Sequence, residues 1–221
     1  MNKLSRLFPL LALFSACSNT ADNIKPEIYV NYFTGLESSK VENYNDVKLD
    51  YDLTSADDKN LHFTNCTQVD DLNETDIAIH EFHLYTMLAS NCKALKLYSK
   101  AKASSTTYLN ELLIDKNISL LPATAYPFVN DQDKSARLNK TLQSHQKKLE
   151  HNILSDGSIA ATTETDTLIY QILSTGDYNN DSIQDAIIRI DWHALNAFGK
   201  GSKLIMVTRL SKDSTFTEID I

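Results

Sequence analysis

The chain has 221 residues, of which 42% are hydrophobic, and its formal net charge at pH 7 is −8. A chain of this size with ordinary apolar content can bury a substantial core, which predicts one domain. The acidic balance excludes a typical nucleic-acid partner, because phosphate repels such a surface. Basic residues gather in one segment: Lys134, Arg137, Lys140, Lys147 and Lys148. Acidic residues flank that segment, and we interpret it as a solvated helix face.

The amino-terminal residues have the pattern of an export signal. Lys3 and Arg6 form a basic start, an apolar run follows, and small residues precede Cys17. A membrane-spanning helix fits less well, because the apolar run is shorter than the roughly 20 residues that a span needs. A buried core helix also fits poorly, since Pro9 would interrupt it. The pattern therefore predicts that residues 1–16 are a signal peptide.

The segment Leu-Phe-Ser-Ala-Cys at residues 13–17 resembles the lipobox of bacterial lipoproteins. In that family the cysteine becomes the diacylated first residue of the mature chain, so the resemblance implies acyl chains such as palmitate on Cys17. Several acyl chains hold a protein on a membrane without a spanning helix. Asp after the cysteine usually retains such proteins in the inner membrane; Ser18 implies the outer membrane if the cell has two. Residues 17–27 would then be the lipidated cysteine and a polar tether.

Two cysteines remain in the mature chain, Cys66 and Cys92. An exported protein folds in an oxidising compartment, where an even pair is more often bridged than free. We expect a disulfide between them, contributing about 3 to 4 kcal/mol in the loop-entropy model. The alternative is two buried, reduced thiols. No CxxC motif indicates a redox role.

The chain before Gly157 is predicted to be mainly helical. Apolar residues recur every three to five positions from Asn73 to Lys102, and a short helical pattern covers Tyr108 to Ile114. Asp131 to Ile153 has the pattern of a polar amphipathic helix. Two aromatic-rich pieces, 27–33 and 47–53, are candidate strands.

The chain after Gly157 is predicted to be mainly β. Four β-branched segments bounded by turn residues are candidate strands: 165–174, 186–194, 203–210 and 216–221. In the second segment one face would carry Ala186, Ile188, Ile190 and Trp192. The other face would carry Ile187, Arg189, Asp191 and His193. This alternation predicts a sheet with one buried and one wetter face.

These patterns together predict an α+β fold, in which a helical amino-terminal half packs on a carboxyl-terminal antiparallel β-meander. We expect a single α+β domain at residues 28–221, mainly helical over 73–153 and mainly β over 157–221.

One segment between two predicted strands carries a chemical motif. It reads Gly-Asp-Tyr-Asn-Asn-Asp-Ser-Ile-Gln-Asp from residue 176, and we call residues 177–185 the acidic loop. Calcium takes six to eight oxygen ligands, and alternate side chains of a tight loop, together with a backbone carbonyl, can supply them. The segment resembles the D-x-[DN]-x-D-x-x-x-D loops of EF-hand, dockerin and FG-GAP-type repeats. The resemblance implies one calcium ion and five ligand residues: Asp177, Asn179, Asp181, Ile183 through its carbonyl, and Asp185.

The loop departs from those families at two positions. Ser182 stands where Gly normally allows a sharp turn, at a conformational cost of roughly 1 kcal/mol. Ile188 stands where an EF-hand has its bidentate Glu, which argues against a helix-loop-helix sensor. The alternative to calcium is an Asx-rich hairpin turn, in which the side chains bond their own backbone.

Other candidate sites are weaker. His80 and His83 are separated by about one helical turn, which is not the HExxH spacing of zinc proteases, so a solvated helix face is the simpler interpretation. A catalytic triad could be composed from Asp191, His193 and a serine. The sequence does not show that these residues meet, and a triad is defined by its geometry. The run from Gly176 to Gly201 resembles the ends of uncharacterised proteobacterial lipoproteins, which implies no activity.

The sequence leaves three classes of function open. The first is a membrane-anchored, periplasm-facing lipoprotein with a structural or binding role in the envelope, stabilised by calcium, with the membrane and an envelope protein as partners. The second is an inhibitor or immunity protein against a periplasmic hydrolase, which would use the same anchor and an acidic face. The third is an envelope enzyme; the absence of a coherent catalytic set disfavours it.

Overall fold

A computed structural model describes residues 23–37, 41–128 and 130–220. Its α-helices are α1 (Cys66–Asp70), α2 (Phe82–Tyr98), α3 (Asn110–Leu113), α4 (Asp131–Arg137) and α5 (Leu142–His145). Its strands are β1 (Glu27–Ile28), β2 (Tyr51–Thr54), β3 (Asn60–Phe63), β4 (Glu150–Ile153), β5 (Ile159–Thr162), β6 (Asp166–Gly176), β7 (Asp185–Ala194), β8 (Lys200–Thr208) and β9 (Thr217–Ile219).

One antiparallel sheet dominates the described structure. Strands β4 to β9 pair in sequence order, and β1 adds to the end of β6 beyond the β5 pairing. Each long strand is rich in β-branched residues, and turn residues separate it from the next, so neighbours in sequence become neighbours in the sheet. Strands β2 and β3 form a separate two-stranded hairpin.

Both faces of the sheet are buried. On one face, Leu173, Ile187 and Met206 form a core with Leu88 and Leu95 of α2. On the other face, side chains of β6, β7 and β8 form a second core with the segment that contains α3 and α5, including Tyr170, Ile188, Ile205, Leu112 and Leu142.

The wetter sheet face that the alternation predicted is therefore wrong. The residues of β7 do alternate between the two sides, but α2 covers the side that carries Arg189. That side chain is 2% exposed, because its guanidinium finds hydrogen-bonding partners on three neighbouring elements.

A disulfide joins α1 to α2. Cys66 and Cys92 are both buried and their Cα atoms lie 5.4 Å apart, which is consistent with the bridge expected from the sequence. The bridge fixes the segment before α2 to the helix that covers the sheet.

The predicted fold class is wrong. The sheet occupies the carboxyl-terminal half, but the described amino-terminal half is not helical: α2 is its one long helix, and a β-hairpin, short turns and extended chain surround it. The predicted helix over 131–153 is divided into α4, α5 and β4. Leu138 leaves the helical conformation and Asn139 has φ of 61°, so the chain turns there instead of continuing. Within the described ranges, no helix combines the length and apolar character that crossing a membrane requires.

Candidate functional site

The acidic loop joins β6 to β7 and is held by its own side chains. Asp177 accepts two backbone N–H groups, from Asp181 at 3.2 Å and from Ser182 at 3.0 Å. Asn179 Oδ1 accepts from the Asp181 N–H at 3.0 Å, and Asp181 Oδ1 accepts from the Ile183 N–H at 2.8 Å. These bonds satisfy the backbone donors of a tight turn, as Asx side chains commonly do.

The loop backbone turns through two left-handed residues. Asn180 has φ of 66° and Ser182 has φ of 68°. The sharp turn that calcium loops make with Gly is thus made here by Ser182, a residue type that rarely adopts this conformation.

Asp185 lies at the base of the loop and is fully buried. Its Oδ2 accepts the Tyr178 N–H at 3.0 Å, whereas its Oδ1 makes no hydrogen bond of normal geometry with a described residue. Burial raises the pKa of the Asp185 carboxyl, and the charges of Asp181 and Asp177 raise it further, against the lowering effect of the Tyr178 N–H and of the Thr208 hydroxyl. The base of the loop therefore concentrates negative charge that is expensive to keep ionised.

The loop has the residue types and the sharp turn of a calcium loop, and in the structure its side chains bond groups of the loop itself. Within the described ranges, no group of three or more His, Cys, Asp or Glu side chains is placed so that it could hold a metal ion. The Asn179 amide donates to Asp181 Oδ2 at 2.9 Å, which engages an oxygen that an ion would need. Calcium at this loop stays a prediction, and the self-bonded turn is the arrangement that the structure has.

A cleft opens at the opposite end of the sheet, where α2 begins, and we call it the α2 cleft. It has a volume of about 420 Å³. Its lining includes His83, Leu84 and Met87 from α2, Thr167 and Ile169 from β6, Asp191 and His193 from β7, and Lys200 and Ser202 from β8. The strand register explains this set, because it aligns Thr167 with His193 and Lys200, and Ile169 with Asp191 and Ser202, on the face that α2 covers farther along.

An ion pair between the buried Arg189 and the partly exposed Asp191 forms the base of the cleft. Arg189 donates to both carboxylate oxygens of Asp191, at 3.0 and 2.9 Å, and Ser202 Oγ donates to Asp191 Oδ1 at 2.5 Å. Arg189 also donates to the Tyr32 carbonyl at 3.1 Å and to the side-chain oxygen of Asn91 in α2. The carboxylate in the cleft is therefore already neutralised, and its partner ties the sheet to the helix.

Two histidines line the cleft in different environments. His193 hydrogen-bonds Thr167, and no serine hydroxyl of the described residues bonds it, so the triad that was possible on paper does not assemble. His83 Nδ1 is buried and has no hydrogen-bonding partner in the described structure. Burial lowers the pKa of His83 and the nearby Lys200 charge lowers it further, against Glu81 and the His80 carbonyl, so the ring is neutral at pH 7.

The remaining candidate residues have mixed outcomes. Cys17 lies outside the described residues. His80 precedes α2 and does not share a helix turn with His83. The interpretation of the basic segment as a solvated helix face is wrong at Arg137, which is buried and bonds Asp133 and the Tyr126 carbonyl.

Sequence reasoning missed the cleft, because its residues are spread over more than a hundred positions and no local spacing joins them. One signal was present in the alternation of β7, which placed Asp191 and His193 on the same face. No protein-family model, curated protein or solved structure matches this chain.

Proposed function

We propose that this chain is a lipid-anchored protein of the cell envelope that faces the periplasm and acts by binding. The α2 cleft carries the proposal, because it combines partly exposed apolar walls with a few polar groups, the usual composition of a ligand site. The lipobox-like segment at Cys17 supports the anchor. The disulfide supports an oxidising compartment.

The position of the tether supports a binding role for the α2 cleft, which lies at the end of the molecule opposite the tether. The described chain enters the fold beside the acidic loop, where Ile24 pairs with Ser104 and β1 pairs with the last residues of β6. Six residues from Cys17 to Asn23 reach at most about 20 Å. Strand β7 is about 33 Å long and ends at the cleft. If the end that carries the tether faces the membrane, the cleft therefore faces away from it.

Apolar side chains next to the cleft are suited to a protein partner. Phe198, in the turn between β7 and β8, is fully exposed, and Ile79 before α2 is 93% exposed. Each lies within four residues of a cleft residue in the chain, Lys200 and His83 respectively. Both residues belong to segments that flank the cleft, and an exposed aromatic or aliphatic side chain beside a site can anchor a protein partner.

The polar groups of the cleft favour binding over catalysis. Ser202 donates to a carboxylate that already pairs with Arg189, and His193 bonds a threonine. The carboxylate that Ser202 bonds is a weak base because Arg189 pairs with it, so Ser202 is not activated as a nucleophile.

We propose in addition that one calcium ion stabilises the acidic loop, as the resemblance implies. Asp185 supports this, because a fully buried carboxylate with an unpartnered oxygen, next to two further carboxylates, gains most from a nearby cation. The ion would serve stability, since the loop lies at the end of the sheet opposite the cleft.

The test of the anchor is fractionation of cells that express the full chain. We expect the protein in the membrane fraction, with acyl mass on Cys17, and Cys17→Ala released into the soluble fraction. Unmodified Cys17 in the membrane-purified protein would contradict the anchor.

The test of the binding role is crosslinking in cells from a photoreactive residue at position 198. We expect a specific envelope protein to be captured there and lost when Ile79→Ser is added. A probe at Leu210, another exposed apolar residue in a turn, is the matched control and should capture nothing in common. Recovery of a hydrolase whose activity the chain suppresses would favour the inhibitor class instead.

A further inference from the structure

The α2 cleft has a definite chemistry in addition to its shape. Leu84 and Met87 on the helix and Ile169 on the sheet are partly exposed apolar residues that line the same cavity. A volume of about 420 Å³ lies within the range of pockets that hold small molecules. Contact with these three side chains favours an apolar group, because burial removes both surfaces from water.

The charge of the cleft favours an anion. Lys200 is exposed at its rim and forms no ion pair with any described residue, whereas Asp191 is neutralised by Arg189. The cleft with its base therefore carries one uncompensated positive charge on a protein whose overall charge is −8. A cationic ligand would meet Lys200 and find no free carboxylate among the described lining residues.

A second polar group in the cleft lacks a partner. His83 Nδ1 is buried and makes no hydrogen bond of normal geometry in the described structure, which is costly for a polar atom. Lys200 and His83 both line the cleft, so one ligand in the cavity can meet both side chains. A carboxylate between them would pair with the ammonium and accept a hydrogen bond from the ring.

We propose that the α2 cleft binds a small amphipathic carboxylate, with its apolar chain against Leu84, Met87 and Ile169 and its carboxylate at Lys200 and His83. The proposal rests on the binding role above and names the ligand class of the same site. Phe198 and Ile79 lie outside the lining of the cleft, so the ligand does not cover them.

The chain offers a natural reporter for this ligand. Trp192 is its one tryptophan and stands between Asp191 and His193 in β7. Trp192 also lines the cleft, and Gly199 and Gly201 lie against its indole ring. A change in the position of β7 or of the β7–β8 turn therefore changes the environment of this ring.

The experiment titrates the purified mature domain with octanoate, octan-1-ol and octylammonium at pH 7, followed by calorimetry and tryptophan fluorescence. We expect octanoate to bind saturably with one site, octanol at least tenfold more weakly, and octylammonium not at all. Equal binding of octylammonium, or no saturable binding of octanoate, would overturn the proposal.

Variants assign the contacts. Lys200→Gln should weaken octanoate about tenfold and leave octanol unchanged, whereas Met87→Gln should weaken both. Lys93→Gln removes the same charge from the exposed side of α2 and should change neither. An unchanged octanoate affinity in Lys200→Gln sinks the carboxylate assignment. If octanoate does not bind but crosslinking at position 198 persists, the ligand class is wrong and the binding role stands. If octanoate binds but nothing is crosslinked at position 198, the protein partner alone is contradicted.

Discussion

The acidic loop and the α2 cleft lie at opposite ends of β7, and they are built in different ways. In the loop, nine consecutive residues supply both the donors and the acceptors, and the side chains of Asp177 and Asp181 bond backbone groups nearby in sequence. In the cleft, one helix and three strands supply the groups, and His83 Nδ1 stays unpartnered. A turn whose backbone donors are bonded by its own side chains stabilises the fold, whereas apolar walls with a few polar groups from several elements are typical of a binding site.

The largest expected loss of stability is at Arg189, which holds Asp191 at the base of the cleft. Arg189→Ala should lower the free energy of unfolding by about 3 to 5 kcal/mol, because it leaves Asp191 partly buried without its partner. It also removes the bonds to Asn91 and Gln171. Denaturant unfolding measures the loss. Lys200→Ala at the rim of the same cleft should stay within about 0.5 kcal/mol of the parent. Equal losses of unfolding free energy in the two variants would show that Arg189 at the base contributes no more to stability than Lys200 at the rim.

The loop should respond to loss of its first carboxylate with a smaller effect. Asp177→Ala removes the acceptor of two N–H bonds in a turn with two left-handed residues. We expect a loss of about 2 to 3 kcal/mol in calcium-free buffer, since hydrogen bonds to charged groups contribute about 1.5 to 3 kcal/mol each and water recovers part of that. Asp213→Ala, in the exposed turn before β9, is the control and should be nearly neutral. A neutral Asp177→Ala would show that the turn does not depend on its own bonds.

The same contrast explains how much the sequence could predict. The strands after Gly157 could be predicted because β-branched runs and turn residues are local signals. The acidic loop could be predicted because its motif is continuous in sequence. The helix expected over 131–153 failed because its polar periodicity did not reveal the turn at Asn139, nor the pairing of 150–153 with β5. The burial of Arg189 could not be predicted from the sequence, since its partners Tyr32 and Asn91 lie far from it in the chain.

Calcium should separate the two arrangements of the loop. At ten- to a hundredfold excess over the dissociation constant, an ion that binds the folded loop adds about 1.4 to 2.7 kcal/mol and raises the melting temperature accordingly. Asp185→Asn should abolish that rise. Without calcium it should be at least as stable as the parent, because it removes a buried charge whose pKa is raised and an amide oxygen can still accept the Tyr178 N–H. A melting temperature that millimolar calcium leaves unmoved would make the turn a hydrogen-bonded hairpin and nothing more.

The smallest expected effect is the pH dependence that His83 gives to the cleft end. Its pKa is lowered in the folded state by burial and by Lys200, so between the unfolded value, about 6.5, and the lower folded value the unfolded chain binds the proton more readily. Stability from this group is therefore complete above about pH 6.5, falls as the pH drops through that window, and levels off below the folded pKa.

His145 contributes in the same direction, because burial and Arg137 lower its pKa as well, and it lies in α5 on the other side of the sheet. The pH dependence of unfolding from pH 7 to 5 should become shallower in both His83→Gln and His145→Gln. Saturating octanoate should make it shallower only where His83 is present, since a carboxylate beside the ring raises its pKa. If octanoate acts equally in the His83→Gln variant, the anion does not sit at this histidine.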